Sequence, residues 1–277
     1  MTVHHPTPAY DPHRPDRPTI STRLRPPLRV AEREIRFFAT TWRASSFTMF
    51  VAPALYLVAM GFGLGGLIEA PDSLDGLAYQ DFVAPGLMVA AAAQLAAGSG
   101  LWPIMAGHRW LGFHRAMVAT PISPSSVVSG TLLWITGRSV VQSVVFLVVA
   151  SALGAVGSWW AFLALVAAGL TSAAFAAPLM AYTASVDSDQ AFDPIMRIVV
   201  GPLYLFSGAF FPTEALPVGL LWLVRLFPLW HGIELARTAT TGQAGDWPWP
   251  ANLGVVLVWL IGGWYLARRT FTTRLGS

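Results

Sequence analysis

Hydrophobic residues fall into long runs separated by short polar breaks. The runs Phe47–Ile68, Phe82–Met105, Ser125–Gly154, Trp159–Val186, Pro194–Phe211 and Ala251–Ala267 approach or exceed the ~20 residues that cross a bilayer core as helix. The pattern predicts six transmembrane helices. At ~1.5 Å per residue the third run overhangs or tilts. Pro53 lies inside the first run, and Pro178 is a kink candidate in the fourth. Gly98, Gly100, Ala173, Ala174 and Ala176 are expected where helices approach closely.

Two flanking patterns differ from a plain span. In Leu28–Arg43, Leu28, Ala31, Ile35, Phe38 and Trp42 recur at helical spacing beside Arg29, Arg33, Arg36 and Arg43. An apolar stripe with an Arg-rich flank predicts an amphipathic helix in the headgroup plane. Residues 1–27 hold seven prolines among Arg, Asp and His. This composition reads as a disordered, solvated Pro/Arg-rich tail rather than a signal peptide or a metal-binding histidine tract. The membrane domain is then 28–277.

Between the fifth and sixth runs, Pro212, Pro217 and Pro228 cut Phe211–Thr241 into short apolar pieces. Val218–Phe227 makes only ~15 Å of helix, half a bilayer core, and Leu229–Thr240 is also too short. The expected form is a re-entrant hairpin dipping from the outer surface, with an external amphipathic loop as the alternative. Gly107–Ser123 mixes Arg and His with Trp110, Leu111, Phe113 and Met117, and Thr120-Pro121 ends it. It reads either as a short helix that inserts into a partner's groove or as a membrane-surface connector.

Charge sets the orientation. Eight Arg precede the first run, Arg109 and Arg115 follow the second, and Arg268, Arg269 and Arg274 follow the sixth, whereas Glu69–Asp81 carries four acids and no Arg. The positive-inside rule places both termini and the Arg109 loop in the cytoplasm. The loop Asp187–Asp193 then lies inside as well, despite its three acids. Arg138, in the third run, is read as snorkelling to the cytoplasmic boundary. Asp193 and Arg197 are expected to pair across one turn. His231 and Glu234 are too few ligands for zinc, so no metal site is expected.

Composition removes whole classes of function. The chain is 55% hydrophobic and 11% charged, against about 25% charged in soluble domains. It has no Cys, which excludes disulfide scaffolds, thiol nucleophiles and cysteine-held metal centres. Its 17 basic residues are all Arg, so the P-loop lysine is missing. Any ATP used must be hydrolysed by another chain. The middles of the first, second, fourth and sixth runs lack the charged relays usual in ion-coupled transport.

An Arg-rich interfacial helix, six spans, a cytoplasmic segment after the second span and a broken hairpin before the sixth resemble the type 2 permease family of ATP-binding-cassette exporters. Phe82-Val83-Ala84-Pro85-Gly86-Leu87 is similar to the opening of the second span in nodulation-factor export (NodJ-type) permeases. Ala119-Thr120-Pro121-Ile122-Ser123-Pro124 with Gly130 resembles the close of the family's coupling region. Phe206–Pro212 with Leu216-Pro217 resembles its fifth-span exit, and Phe227-Pro228-Leu229 through His231, Glu234 and Arg237 the entry to its last helix. The coupling region departs from the family: Gly107-His108-Arg109-Trp110-Leu111-Gly112 stands where many relatives carry an acidic E-R-x-x-G-type stretch.

The resemblance implies an all-α permease that is not itself an enzyme and holds no cofactor. ATP and Mg would sit on two copies of a cytoplasmic ATPase subunit. A second permease, identical or a sister chain, would complete the exporter, with membrane lipids around it and no nucleic acid. Gly107, His108, Arg109, Trp110, Leu111, Phe113, His114 and Arg115 would form the coupling helix. Phe211, Pro212, Glu214, Pro217, Trp222, Pro228 and His231 would form the external gate. Trp102, Tyr204 and Phe206 are candidate substrate contacts. The cargo would be an amphipathic lipid, a glycolipid or polysaccharide, or a hydrophobic drug, leaving across the inner or plasma membrane. The alternatives are a membrane-embedded lipid-modifying enzyme and an accessory membrane protein.

Overall fold

The computed structural model describes residues 20–46, 77–243 and 245–275 together with Leu55 and Ala59, with side chains in the first segment described for residues 26–40. The predicted first span, Phe47–Ile68, lies outside the described residues, as do residues 1–19 of the predicted tail. All regular structure among the described residues is helical.

Helix α1 (Ile20–Ser46) begins eight residues before the predicted Leu28 and carries Pro26 and Pro27 inside it. Packing rather than propensity holds this end. α1 lies on α4 (Pro124–Ala152) at Gly130, where an added Cβ would meet Val30 Cβ at 2.6 Å. The buried face is also shifted from the predicted stripe. Val30 and Ala31 are buried, whereas Leu28 and Ile35 are exposed.

Helix α2 (Tyr79–Met105) is Ala- and Gly-rich and buried on most sides. It passes through a π-helical turn, Ala106–Trp110, into the short α3 (Phe113–Val118). Ser123 caps α4, its Oγ accepting the Ser126 N–H at 3.2 Å, and Pro124 takes the first turn, where a missing N–H costs nothing. α5 (Phe162–Ser185) is the hub, packing on α2, α4 and the later α8 (Pro228–Thr241) and α9 (Trp249–Leu275). Small residues make this close: a Cβ on Gly100 of α2 would lie 3.1 Å from the Ala176 carbonyl of α5. Gly98 plays no such part, its nearest neighbour being Trp102 of its own helix. Because lipid does not drive helices together, interhelical hydrogen bonds add specificity. Thr183 Oγ1 donates to the Gly100 carbonyl at 2.9 Å, and Trp264 Nε1 to Ser129 Oγ at 3.0 Å.

Among the described residues four helical stretches are long and apolar enough to cross a membrane, Tyr79–Trp110, Pro124–Ala152, Trp159–Ser185 and Trp249–Leu275, and the bent pair Val218–Leu226 and Pro228–Thr241 makes a fifth if it is one span. The four long stretches match the predicted second, third, fourth and sixth runs. The predicted fifth run behaves differently. α6 is built from Phe192–Pro194, a π-helical Ile195–Val200 and Gly201–Phe206, and bends away at Ser207–Phe211. At ~1.5 Å per residue it reaches roughly 22 Å, short of the ~30 Å core. α7 (Val218–Leu226) and α8 are two short helices bent by 83° at Phe227, ahead of Pro228. Proline fixes this corner because the residue before it avoids the helical region; Phe227 is extended, with ψ 151°.

Candidate functional site

The Gly107–Arg115 segment is split between a buried base and an exposed tip. His108 and His114 are 3% and 1% exposed and pack on Phe271 of α9. Gly107 permits this: a Cβ there would meet His114 Cε1 at 2.5 Å and Phe113 Cζ at 2.6 Å. The π turn then carries the chain outward, and Gly112, at φ +67°, reverses it into α3. Trp110 and Leu111 project at this reversal, 55% and 74% exposed. Arg115 is exposed as well. Phe113 is half-buried under the Arg33 guanidinium, which sits 3.9 Å from its ring centre. Burial, with help from His108 and Arg33, pushes the His114 imidazole down to about 3, so it is neutral and part of the base.

Arg109 forms an ion pair with Asp187, which also lies 3.4 Å from Arg274 Nη1. Arg274 further donates to the Ser185 carbonyl at 2.5 Å. Asp187 follows α5 and Arg274 ends α9, so three segments assigned to one side by their charges meet there. Charge bias places Asp187 on this side, but nothing local in the sequence marks it as a partner of Arg109. The expected Asp193–Arg197 pair does not form. The π-helical Ile195–Val200 interrupts the α-helical spacing that would bring the two together.

The predicted gate residues take unlike positions. Pro212 opens a 3₁₀ turn at Thr213–Ala215 that carries Glu214, and Pro217 precedes α7. Phe211 packs edge-on against Phe206 at 6.3 Å. Trp222 is 60% exposed. His231 is fully buried. Its Nε2 lies 2.8 Å from the Arg225 carbonyl and its Nδ1 2.7 Å from the Asn252 side-chain amide. It therefore pins α7 and α8 to α9 rather than facing a path, and Asn252 is a partner that no local spacing signals. Trp259 Nε1 adds a second tie, donating to the Leu226 carbonyl at 2.9 Å.

Beside this corner Arg237 is enclosed. It donates to Glu234 Oε1 at 2.5 Å and to the Gly208 carbonyl at 2.6 Å, and lies 3.9 Å over the Phe82 ring. One side chain thus joins α8, the exit of α6 and the start of α2. The i,i+3 spacing of Glu234 and Arg237 signals their pairing; the Gly208 and Phe82 contacts have no local signal. A cavity of about 80 Å³ opens next to it, lined by Glu214, Glu234, Arg237 and Asp246 among others. Burial raises the Asp246 pKa, and the hydrogen bond and charge of Glu214 raise it further. Burial alone would raise Glu214 too, but bonds from the backbone, Asp246 and Thr213 hold it below the usual range. Among the described residues no group of three or more His, Cys, Asp or Glu forms a metal-holding cluster.

The three candidate path aromatics are not gathered in one place. Trp102 packs on Phe192 at 5.8 Å, whereas Tyr204 packs on Phe210 at 5.4 Å and Phe206 on Phe211. Tyr79 Oη, which donates to the Phe210 carbonyl at 3.3 Å, holds the Tyr204 end to α2.

Long apolar helices around an Ala-rich hub, with a proline-broken pair before the last helix, define a multi-span helical membrane protein. The family described as ABC-2 type transporter matches residues 29–240. The chain belongs to that family, as a membrane component. It is 30% identical to Nodulation protein J of Rhizobium leguminosarum bv. viciae over 192 residues, 69% of this chain and 73% of that protein. Nodulation protein J of Rhizobium meliloti (strain 1021) is 29% identical over 69% of this chain and 72% of its own length. The Bradyrhizobium diazoefficiens Nodulation protein J is 27% identical over 70% and 73% respectively.

Proposed function

We propose that this chain is the permease subunit of an ATP-driven exporter, working as a pair of permeases with two copies of a cytoplasmic ATPase. The observation that carries this reading is the Trp110–Leu111 tip. Two large apolar side chains stand exposed on a base locked by Gly107, His108 and His114. Rigid, exposed aromatic and aliphatic anchors are what a binding groove on a partner selects. Arg115, and Arg109 with its carboxylate partner, rim the tip. ATP-driven closure of the partner would push on this segment and, through α2, on the bundle.

The full arrangement is six spans with both termini in the cytoplasm of a cell whose inner or plasma membrane holds the exporter. The α7–α8 pair dips from the outside as the exit constriction. The cargo is an amphipathic lipid, a glycolipid or polysaccharide, or a hydrophobic drug. The apolar, weakly charged bundle supports that class.

The test is co-purification of the full chain with a Walker-A ATPase, followed by export and ATP turnover. Trp110→Ala or Leu111→Ala should weaken assembly by about 2 kcal/mol, roughly 30-fold in affinity. Arg109→Ala should cost under about 1 kcal/mol and depend on salt. Trp222→Ala should leave assembly intact and change export only. If both anchor variants assemble and export normally, the coupling assignment fails.

A further inference from the structure

A second space lies behind the coupling tip. It is a cavity of about 240 Å³ between α1, the end of α2, α3 and α4. A water occupies only about 10–15 Å³ by this measure, so there is room for a whole head group. Phe37 and Leu111, both exposed, mark its mouth, and Phe38 and Trp134 line it.

Its polar lining is incompletely satisfied. Arg33 and Glu34 neutralise each other at 2.5 Å. Arg138 forms no ion pair with a described carboxylate. Its guanidinium lies 5.4 Å from the Phe38 ring centre and 5.7 Å from Trp134, and its Nε is buried without an acceptor. Thr131 Oγ1 and His114 Nδ1 are also buried without hydrogen-bond partners, and both residues line the same cavity. Buried polar atoms ordinarily have partners, and three unmet ones around one space point to a ligand site. With His114 neutral, the lining carries one surplus positive charge. Arginine, hydroxyl and imidazole can all donate to a single oxygen-rich anion. Arg138 lies one turn beyond Trp134 on α4, so the cytoplasmic-boundary position read from the sequence puts its guanidinium at this cavity.

We propose that this cavity binds the monoanionic phosphodiester head group of an amphiphile, with Arg138 as the charge partner, Thr131 and His114 as donors, and the apolar chain leaving past Phe37 and Leu111. The head group belongs either to a membrane phospholipid or to a phosphodiester-bearing cargo. Binding at this site stands apart from the transport reading; only the choice between these two sources depends on it.

The probes are phosphatidylglycerol and phosphatidylcholine with identical chains, presented to the purified full chain in detergent and counted by native mass spectrometry. The expected result is about tenfold preference for phosphatidylglycerol, because both lipids offer the same phosphodiester but phosphatidylcholine also brings a choline cation to a lining with a surplus positive charge. Arg138→Gln should reduce that preference to within about twofold, and the near-isosteric Thr131→Val, which removes a donor to the shared phosphodiester, should lower retention of both lipids. Arg36→Gln, on an exposed residue of α1 outside the lining, should leave it unchanged. Equal retention of both lipids by the native chain, or a full preference in Arg138→Gln together with undiminished retention in Thr131→Val, overturns the site. A second arm follows fluorescent phosphatidylglycerol in vesicles holding the chain with its ATPase. ATP-dependent movement to the other leaflet, lost in Arg138→Gln, supports the site with cargo as its occupant. Selective binding without movement supports the site with a resident lipid.

Discussion

At the Gly107–Arg115 end, large apolar side chains are left exposed on a rigid base; at the α7–α8 corner, the charged and aromatic groups turn inward. Trp110 and Leu111 touch little of their own chain, whereas Arg225, His231, Glu234 and Arg237 are all bonded within the corner. Arg225 pairs with Asp246 at 2.9 Å and lies 4.8 Å over Trp230, whose Nε1 donates to Thr213 at 3.2 Å. The first region leaves apolar side chains open, as the proposed partner contact requires, and the second keeps its own shape. Exposure alone does not separate them, since Trp222 is as exposed as Trp110. What separates them is the locked, inflexible support beneath the exposed tip.

The largest expected effect tests the closed corner. Arg237→Ala would leave Glu234 enclosed without its partner and the Gly208 carbonyl unmet. Removing one member of a buried pair costs about 3–5 kcal/mol, so thermal unfolding in detergent should show a large loss. Replacing both partners, as Arg237→Met with Glu234→Gln, should recover much of it. A loss under about 1 kcal/mol in Arg237→Ala would mean that the corner does not depend on this residue.

A smaller effect tests the base of the tip. Gly107→Ala places a methyl 2.5 Å from His114 Cε1 and 2.6 Å from Phe113 Cζ, so these rings must shift to admit it. Overpacking of this kind costs about 1–3 kcal/mol. It should displace Trp110 and Leu111, so assembly with the ATPase should fall although no contact residue has changed. Normal assembly together with normal stability would show that the base is not locked.

A third effect is read against pH and is small near neutrality. The His114 value of about 3 in the fold lies below its ordinary 6.5, so the unfolded chain takes up the proton first. The stability contributed by neutral His114 is complete above about 6.5 and is lost as pH falls toward 3. His114→Gln, which takes no proton, should flatten the acid side of the thermal-stability profile. An unchanged acid limb would contradict the buried, neutral imidazole.

Much of the architecture is legible in the order of residues along the chain. Among the described residues four of five apolar runs become long helices with nearly the predicted bounds, because run length against bilayer thickness is a local property. The corner at Phe227-Pro228 is legible for the same reason: proline acts on its immediate neighbour. α6 is not legible in this way. Its hydrophobicity suggests a full span, but hydrophobicity carries no record of the π turn at Ile195–Val200 or of the bend at Ser207. The coupling segment stands out as a stretch of mixed basic and aromatic residues, yet three of its eight candidates, Gly107, His108 and His114, are buried support.

By itself the sequence determined the class of protein: helical and membrane-spanning, without the lysine or cysteine that other chemistries require. Tertiary structure alone decided which side chains are used and which are left open. Arg109 finds Asp187, His231 finds Asn252, and Arg138 of α4 meets Phe38 of α1 across a cavity. The physical reason is distance along the chain. Apolar run length, proline breaks and charge bias act within a turn or two. Partners for a buried polar group come from whichever helix packing brings alongside, and only the folded bundle specifies that.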